Sequence, residues 1–275
     1  MSYLCIYHKN CADGFGAALA VKVYCDERGE SCDFLAAQYG DEVPDVSGKK
    51  VLIVDFSYDR ETLLSLKDSA LSLQVIDHHK SAMEALAGLD YCIFDMDYSG
   101  AVLTWQTLFP DRAVPLLLSY IQDRDLWQWQ LEDSKAVSAA LLTLNKTFEL
   151  WQPYLADELV AELIVKGNAI VDYQNQQLAR TPKGEKVPMA TIGGHTVPCV
   201  NSTHLISEMG EILAQGHPFA ALYFDRSDKR IYSLRSAKDG IDVAKVAQQY
   251  GGGGHFHAAG FAVDKPNVDV VLPSK

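Results

Sequence analysis

An acid followed by two histidines, Asp77-His78-His79, closes the apolar run Leu73–Asp77. Carboxylates and imidazoles ligate hard-to-borderline divalent metals, and both handle protons near neutral pH. Three similar residues fall at comparable places. His8 follows the run Tyr3–Tyr7, Asp13 opens a helical pattern, and Asp55 ends the run Val51–Asp55. A lone Asp after a strand is ordinarily a helix N-cap, and a lone His ordinarily a surface residue. Two adjacent histidines behind an acid, at the mouth of a buried strand, have no such structural use. Asp77, His78 and His79 therefore argue for function and draw Asp55 and His8 with them. Two metals bridged by a carboxylate would clamp both oxygens of an in-line phosphoryl displacement and make a hydroxide at neutral pH.

Two further segments carry polar groups in unusual company. Asp123 and Asp125 stand in Tyr120–Trp127, close behind an apolar helix and beside Trp127 and Trp129. A solvated helix end is the plain explanation. A loop packed against the sheet edge is the functional one, with Asp123 preferred to Asp125. Downstream, Gly251-Gly252-Gly253-Gly254-His255-Phe256-His257 follows a helical pattern. Consecutive glycines let backbone N–H groups approach an anion, and His255 adds a donor. Arg235 ends a nearby strand and suits bidentate contact with phosphate. A flexible turn and a surface arginine are the plain alternatives.

The elements that must position these residues alternate in type. Candidate strands at Tyr3–Tyr7, Phe34–Gln38, Val51–Asp55, Leu73–Asp77 and Tyr91–Phe94 are interleaved with helical patterns at Gly14–Tyr24 and Arg60–Leu71. This predicts an α/β fold with a doubly wound, mostly parallel sheet, whose C-terminal strand ends share one edge. Helical patterns fill Gly100–Leu108, Ala113–Gln122, Ser134–Leu144 and Ala156–Leu178, and a breaker-rich stretch spans Arg180–Pro188. The later strands and helices predict a smaller α/β domain with a mixed sheet. The expected division is a metal-binding catalytic domain over residues 1–150, a helical connector and linker over 151–187, and a substrate-binding domain over 188–275.

Composition narrows the partners. The 275 residues carry a formal net charge of −12. There is no Lys/Arg block of the kind that tracks a duplex. A small or short anionic substrate, bound locally through metals, backbone N–H groups and a few arginines, fits better. The six cysteines form no C-x-x-C pair, so buried free thiols are expected at all but Cys11. Neither a signal peptide nor a spanning apolar stretch is read, so a cytoplasmic protein with no membrane partner is expected.

Taken together, these motifs resemble the DHH phosphoesterase family with its associated C-terminal domain. Asp77-His78-His79, strand-end Asp55, the Asp123 segment and Gly252-Gly-Gly-His-x-x-Ala-Ala-Gly260 carry the resemblance, in the family's order. The opening Tyr7–Ala17 looks like the oligoribonuclease or cyclic-nucleotide phosphodiesterase branch. The resemblance implies two divalent ions, Mn²⁺ or else Mg²⁺. His8 and Asp55 would hold one. Asp13, Asp55, His78 and Asp123 would hold the other. Asp77 would orient the neighbouring imidazole, and His79 would face the phosphate. Arg235, Gly252, Gly253, Gly254 and His255 would bind the rest of the substrate. The implied reaction is hydrolysis of short RNA or DNA oligonucleotides or linear dinucleotides to mononucleotides. Its rivals are a cyclic (di)nucleotide phosphodiesterase, a single-strand exonuclease, and a phosphatase on nucleotide bisphosphates or polyphosphate. A nucleotide-binding regulator with a decayed metal site is the non-enzyme alternative. It is motivated by Cys11, which stands where the family places an earlier acid. As a thiolate, Cys11 would favour a softer ion; as a small residue, it would simply fill a tight turn. The oligomeric state is open, a homodimer included.

Overall fold

The computed structural model describes residues 2–265. The chain divides into two compact units, Met1–Asp172 and Tyr173–Lys275. The last ten residues of the expected second domain, 266–275, lie outside the described residues.

In the first unit, β1 (Tyr3–His8), α1 (Ala12–Arg28) and β2 (Cys32–Ala37) come first, then β3 (Lys50–Val54) and α2 (Arg60–Ser69). Next are β4 (Ser72–Asp77), α3 (Lys80–Ala85) and β5 (Cys92–Phe94). The five strands form one sheet in the order β2-β1-β3-β4-β5, and every pair is parallel. The strands are continuous apolar runs because both faces are covered. Cys5, Leu52, Val54 and Ile76 pack into one core with α1 residues such as Phe15 and Leu19. Their neighbours Leu4, Ile6, Val51, Ile53 and Val75 point the other way, into a core with Leu63 and Leu66 of α2. The chain runs outward from β1 in both directions. The topological switch therefore lies at the C-terminal ends of β1 and β3, where α/β sheets leave a crevice.

Helices α4 (Gly100–Leu108), α5 (Leu116–Asp125), α6 (Ser134–Leu141) and α7 (Phe148–Trp151) complete this unit. The sequence pattern starts α5 early, at Ala113; Pro115 instead stands at its N-cap, because proline tolerates helix starts but not interiors. The long α8 (Val160–Leu178) carries the chain from the first unit into the second.

The second unit holds β6 (Met189–Ile192), β7 (His195–Asn201), α9 (Ile206–Ala214), β8 (Ala220–Asp225) and β9 (Lys229–Arg235). It ends with α10 (Val243–Gln248), β10 (Gly253–Gly254) and β11 (Ala258–Asp264). Its six-stranded sheet runs β10-β11-β9-β8-β7-β6. Only β7–β8 is parallel, so the sheet is mixed. Phe219, Leu234, Val243 and Phe261 anchor its core. Among the described residues no helix is long and apolar enough to cross a membrane.

Candidate metal centre

The strand ends at the switch point deliver four side chains to one place. His8 is the last residue of β1, and Asp55 follows β3 directly. Asp55 takes a left-handed backbone, φ 52°, which aspartate tolerates better than most residues. Its N–H donates to the Ile76 carbonyl of β4, so the turn out of β3 is tied to the neighbouring strand. His78 follows β4, and Asp13 lies in the first turn of α1.

Asp13 is 1% exposed, and both its oxygens are fixed. Oδ2 accepts from Gly100 N at 2.6 Å and Oδ1 from Ala101 N at 3.0 Å. These are unpaired donors at the N-terminus of α4, where a carboxylate is favoured. Gly100 permits the approach: a Cβ there would fall 2.5 Å from that of Asp55.

Asp55 sits between two groups. Its Oδ1 is 3.1 Å from His78 Nε2, and its Oδ2 is 3.6 Å from His8 Nδ1. His78 Nε2 is also 3.6 Å from Asp13 Oδ2. Two triads follow, His8–Asp55–His79 and Asp13–Asp55–His78, each with ligand atoms within 4.8 Å of one another. The donor set fits divalent cations. Asp55 Oδ1 is buried, and its 3.1 Å contact with His78 Nε2 brings two ligand atoms together at the sheet edge. Two donor atoms so placed suit one cation between them.

Electrostatics point the same way. Burial, then the charges of Asp55 and Asp125, push the Asp13 carboxyl well above the usual carboxylate range. Burial also opposes charge on Asp55, yet contact with His78 and His8 holds it below that range. Burial pulls His78 down, but Asp55, Asp13 and Asp125 together push it up to about 10. A cation would relieve the crowding of carboxylates that protonated His78 relieves in its absence.

Asp77 is fully buried and does not enter either triad. It accepts from Ser57 Oγ at 2.6 Å and from the His78 N–H at 2.8 Å. His79 Nδ1 lies 2.6 Å from Asp77 Oδ1, which fixes the ring and directs Nε2 away from the buried acid. The expected phosphate-facing histidine thus also stands in a triad with His8 and Asp55.

Asp123 lies outside both triads. It is buried, but its carboxylate accepts from the Gln130 and Leu131 N–H groups at 2.8 and 3.3 Å. Asp125 instead reaches the cluster, with Oδ2 3.6 Å from His78 Nε2. Residues two apart on a helix point about 200° apart, so only one of the pair can face the sheet edge. The spacing itself carried that signal; the choice of residue depended on how α5 is rotated.

Cys11 caps α1: Gly14 N donates to its Sγ at 3.0 Å, and Sγ donates to Asp55 Oδ2 at 3.3 Å. Burial, then Asp55, Asp13 and Asp125, push this thiol well up. Cys11 stands in neither triad. All six cysteines are free.

In the second unit, Arg235 Nε and Nη2 donate to Ser207 Oγ, and Nη1 to its neighbour's carbonyl, Leu234 O. Gly252 and Gly254 have a steric reason beyond any anion: a Cβ on either would strike β11, at Gly260 O and Ala258 O respectively. Gly253 faces open space. His255 and Ala258 exchange backbone hydrogen bonds at the tip of the β10–β11 hairpin.

An α/β protein with a buried carboxylate–imidazole cluster able to bind metal, at the switch point of a parallel sheet, is the class that fold and site define. Residues 202–272 match the DHHA1 domain family. The chain is 29% identical to the uncharacterized protein R106 of Acanthamoeba polyphaga mimivirus, covering 94% of this chain and 66% of that one. It is 25% identical to the oligoribonuclease NrnB of Bacillus subtilis (strain 168), covering 94% and 72%. RecJ of Thermus thermophilus, in a crystal structure with Mn²⁺, shares the fold. The TM-score is 0.52 at 13% identity, over 95% of this chain and 49% of that one. The chain thus carries a DHHA1 domain, is similar along most of its length to an oligoribonuclease, and shares the fold of RecJ.

Proposed function

We propose that this protein is a divalent-metal-dependent phosphodiesterase that hydrolyses short oligonucleotides or linear dinucleotides to mononucleotides. One observation carries the reading. The buried Asp55 carboxylate turns Oδ1 to His78 and Oδ2 to His8, so one acid belongs to both triads. A shared carboxylate can hold two cations close enough together for a two-metal phosphoryl site. The oligoribonuclease relative supports the substrate class, and the RecJ structure with Mn²⁺ makes Mn²⁺ the first ion to test.

His8, Asp55 and His79 would hold one cation; Asp13, Asp55 and His78, with Asp125 beside them, would hold the other. When bound, the two ions acidify an attacking water and neutralise charge on the phosphoryl oxygens. The chain's own residues do the rest. The α4 N-terminus holds the Asp13 carboxylate rigid through Gly100 and Ala101. Asp77 keeps the His79 ring in one orientation, with Nε2 to donate to a phosphoryl oxygen or serve as ligand. Arg235, Gly253 and His255 would bind the remainder of the substrate.

The test is a product time course with pGpG, pApA, a five-base RNA and a cyclic dinucleotide, in Mn²⁺ and then Mg²⁺. Mononucleotides from the linear substrates, lost in Asp55→Asn, are expected. Turnover of the cyclic substrate alone would replace this reading with the cyclic one. Silence on all four would turn the assignment towards polyphosphate, nucleotide bisphosphates or nucleotide binding without turnover.

A further inference from the structure

Strand β2 ends beside the metal centre, and the turn that follows it carries an aromatic ring outside both cores of this unit. Ala37, the last residue of β2, is the register partner of His8 on β1. Tyr39 therefore stands two residues past the partner of a triad member, at the same sheet edge. The turn is closed twice. Asp41 N donates to the Gln38 carbonyl at 3.1 Å, and Gln38 N to Asp41 Oδ2 at 3.2 Å. Gly40, at φ 90°, supplies the positive φ that a type II turn needs at its third residue. Lys9 N donates to Ala37 O at 2.8 Å, and Lys9 Nζ lies 3.8 Å from Asp41 Oδ2. The residue after His8 thus braces the turn.

Tyr39 is 63% exposed. Its ring nonetheless lies 5.1 Å from that of buried Phe56, the residue after Asp55. Phe56 stacks on His8 at 6.2 Å, and His8 meets His79 edge-on at 5.9 Å. Four rings thus run from the open edge of the sheet into the His8–Asp55–His79 triad. A tyrosine packed from one side leaves a ring face to water, and covering that face is favourable. The hydroxyl is the crowded end of the side chain. Burial, then the charges of Asp77 and Asp55, push it up to about 12. It stays neutral and adds no negative charge beside an incoming phosphate.

We propose that Tyr39 is the base platform of the metal centre: its open ring face stacks on the nucleobase whose phosphate sits at the His8–Asp55–His79 triad. The inference rests on the phosphodiesterase reading above and narrows its substrates to nucleotides, in preference to pyrophosphate and polyphosphate. A base presents a π-face to the tyrosine ring. An inorganic phosphate chain presents only negative charge, which the negative face of the ring repels. Stacking tolerates every base, so the platform selects nucleotides over bare phosphates without selecting a sequence. A ring held by a closed turn and by Phe56 loses little freedom on binding.

The test is isothermal titration of the full-length protein, in Mn²⁺, with AMP and with ribose 5-phosphate, which keeps the phosphate and lacks the base. Wild type, Tyr39→Ala and Tyr39→Phe are compared, and melting curves check that the variants fold. Tyr39→Leu, which keeps Phe56 covered, replaces the alanine variant if that one melts low. Wild type is expected to bind AMP more tightly than ribose 5-phosphate. Tyr39→Ala should lose about ten-fold for AMP and nothing for ribose 5-phosphate, and Tyr39→Phe should bind both as wild type does. A merely structural role would weaken both ligands together. The platform is overturned by AMP binding no tighter than ribose 5-phosphate in wild type, by equal loss of both in Tyr39→Ala, or by a loss in Tyr39→Phe as large as in Tyr39→Ala. Hydrolysis of pApA by the Mn²⁺-loaded protein separates the two readings. If it fails in wild type while AMP binding depends on the ring, the phosphodiesterase reading falls and the base platform stands. If it proceeds and Tyr39→Ala leaves its KM unchanged, the platform falls and the phosphodiesterase reading stands.

Discussion

Asp55 and His78 meet 3.1 Å apart, Oδ1 to Nε2, across the ends of two adjacent parallel strands. The carboxylate is buried, and Asp55→Asn removes its charge and one ligand oxygen while keeping the shape of the side chain. Asparagine also accepts the φ of 52° there. The expected outcome is loss of Mn²⁺ binding by electron paramagnetic resonance, with metal-free melting near pH 7 lowered only by the lost pairing with His78. A variant that melts far below wild type would make Asp55 a structural residue first.

Asp123 and Asp125 should behave oppositely. Asp123→Ala strips the acceptor from two backbone N–H groups and should cost about 1–3 kcal/mol of stability. Asp125→Ala, at a side chain 30% exposed, should leave the melting temperature near wild type but weaken Mn²⁺ binding. Paired melts and metal titrations decide it; the reverse pattern would return the ligand role to Asp123.

In the metal-free protein, burial opposes His78 protonation, yet the surrounding acids push its pKa up to about 10. The stability this contributes is fully present below the ordinary imidazole value near 6.5 and is lost as pH rises towards 10. Chelated protein should therefore melt progressively lower across that interval, and His78→Gln should flatten the slope. A ligating imidazole must be neutral, so cation binding near pH 7 should release protons. Calorimetry in buffers of different ionisation enthalpy measures that release.

Asp77 touches His79 and Ser57 but stands outside both triads. Asp77→Asn should lower kcat about 10–100-fold while KM stays close to wild type. Ser57→Ala should have a smaller effect in the same direction. A KM effect with normal kcat would place Asp77 in substrate binding.

Cys11 donates to Asp55 and caps α1 as a thiol. Serine can do both, so Cys11→Ser should leave the relative affinities for Mn²⁺, Zn²⁺ and Cd²⁺ unchanged. A selective fall for Zn²⁺ and Cd²⁺ would show a thiolate ligand instead.

Most of the architecture was legible in the residues alone. Continuous apolar runs alternating with helical patterns read as a parallel sheet, because burial on both faces erases the polar half of each strand. Acids and histidines at the ends of those runs marked one sheet edge, since parallel strands present their C-termini together. Chain order and residue type were enough to place His8, Asp13, Asp55 and His78 at that one edge. They were not enough where the answer depended on rotation or on distant backbone. Which of Asp123 and Asp125 faces the cluster was decided by the roll of α5. That Asp13 is held by Gly100 and Ala101 was decided by the docking of α4. In the glycine run, local spacing suggested anion contact, whereas hairpin packing gives Gly252 and Gly254 a steric role. Periodicity reports what each element buries; only tertiary packing sets which atoms of separate elements come within bonding distance.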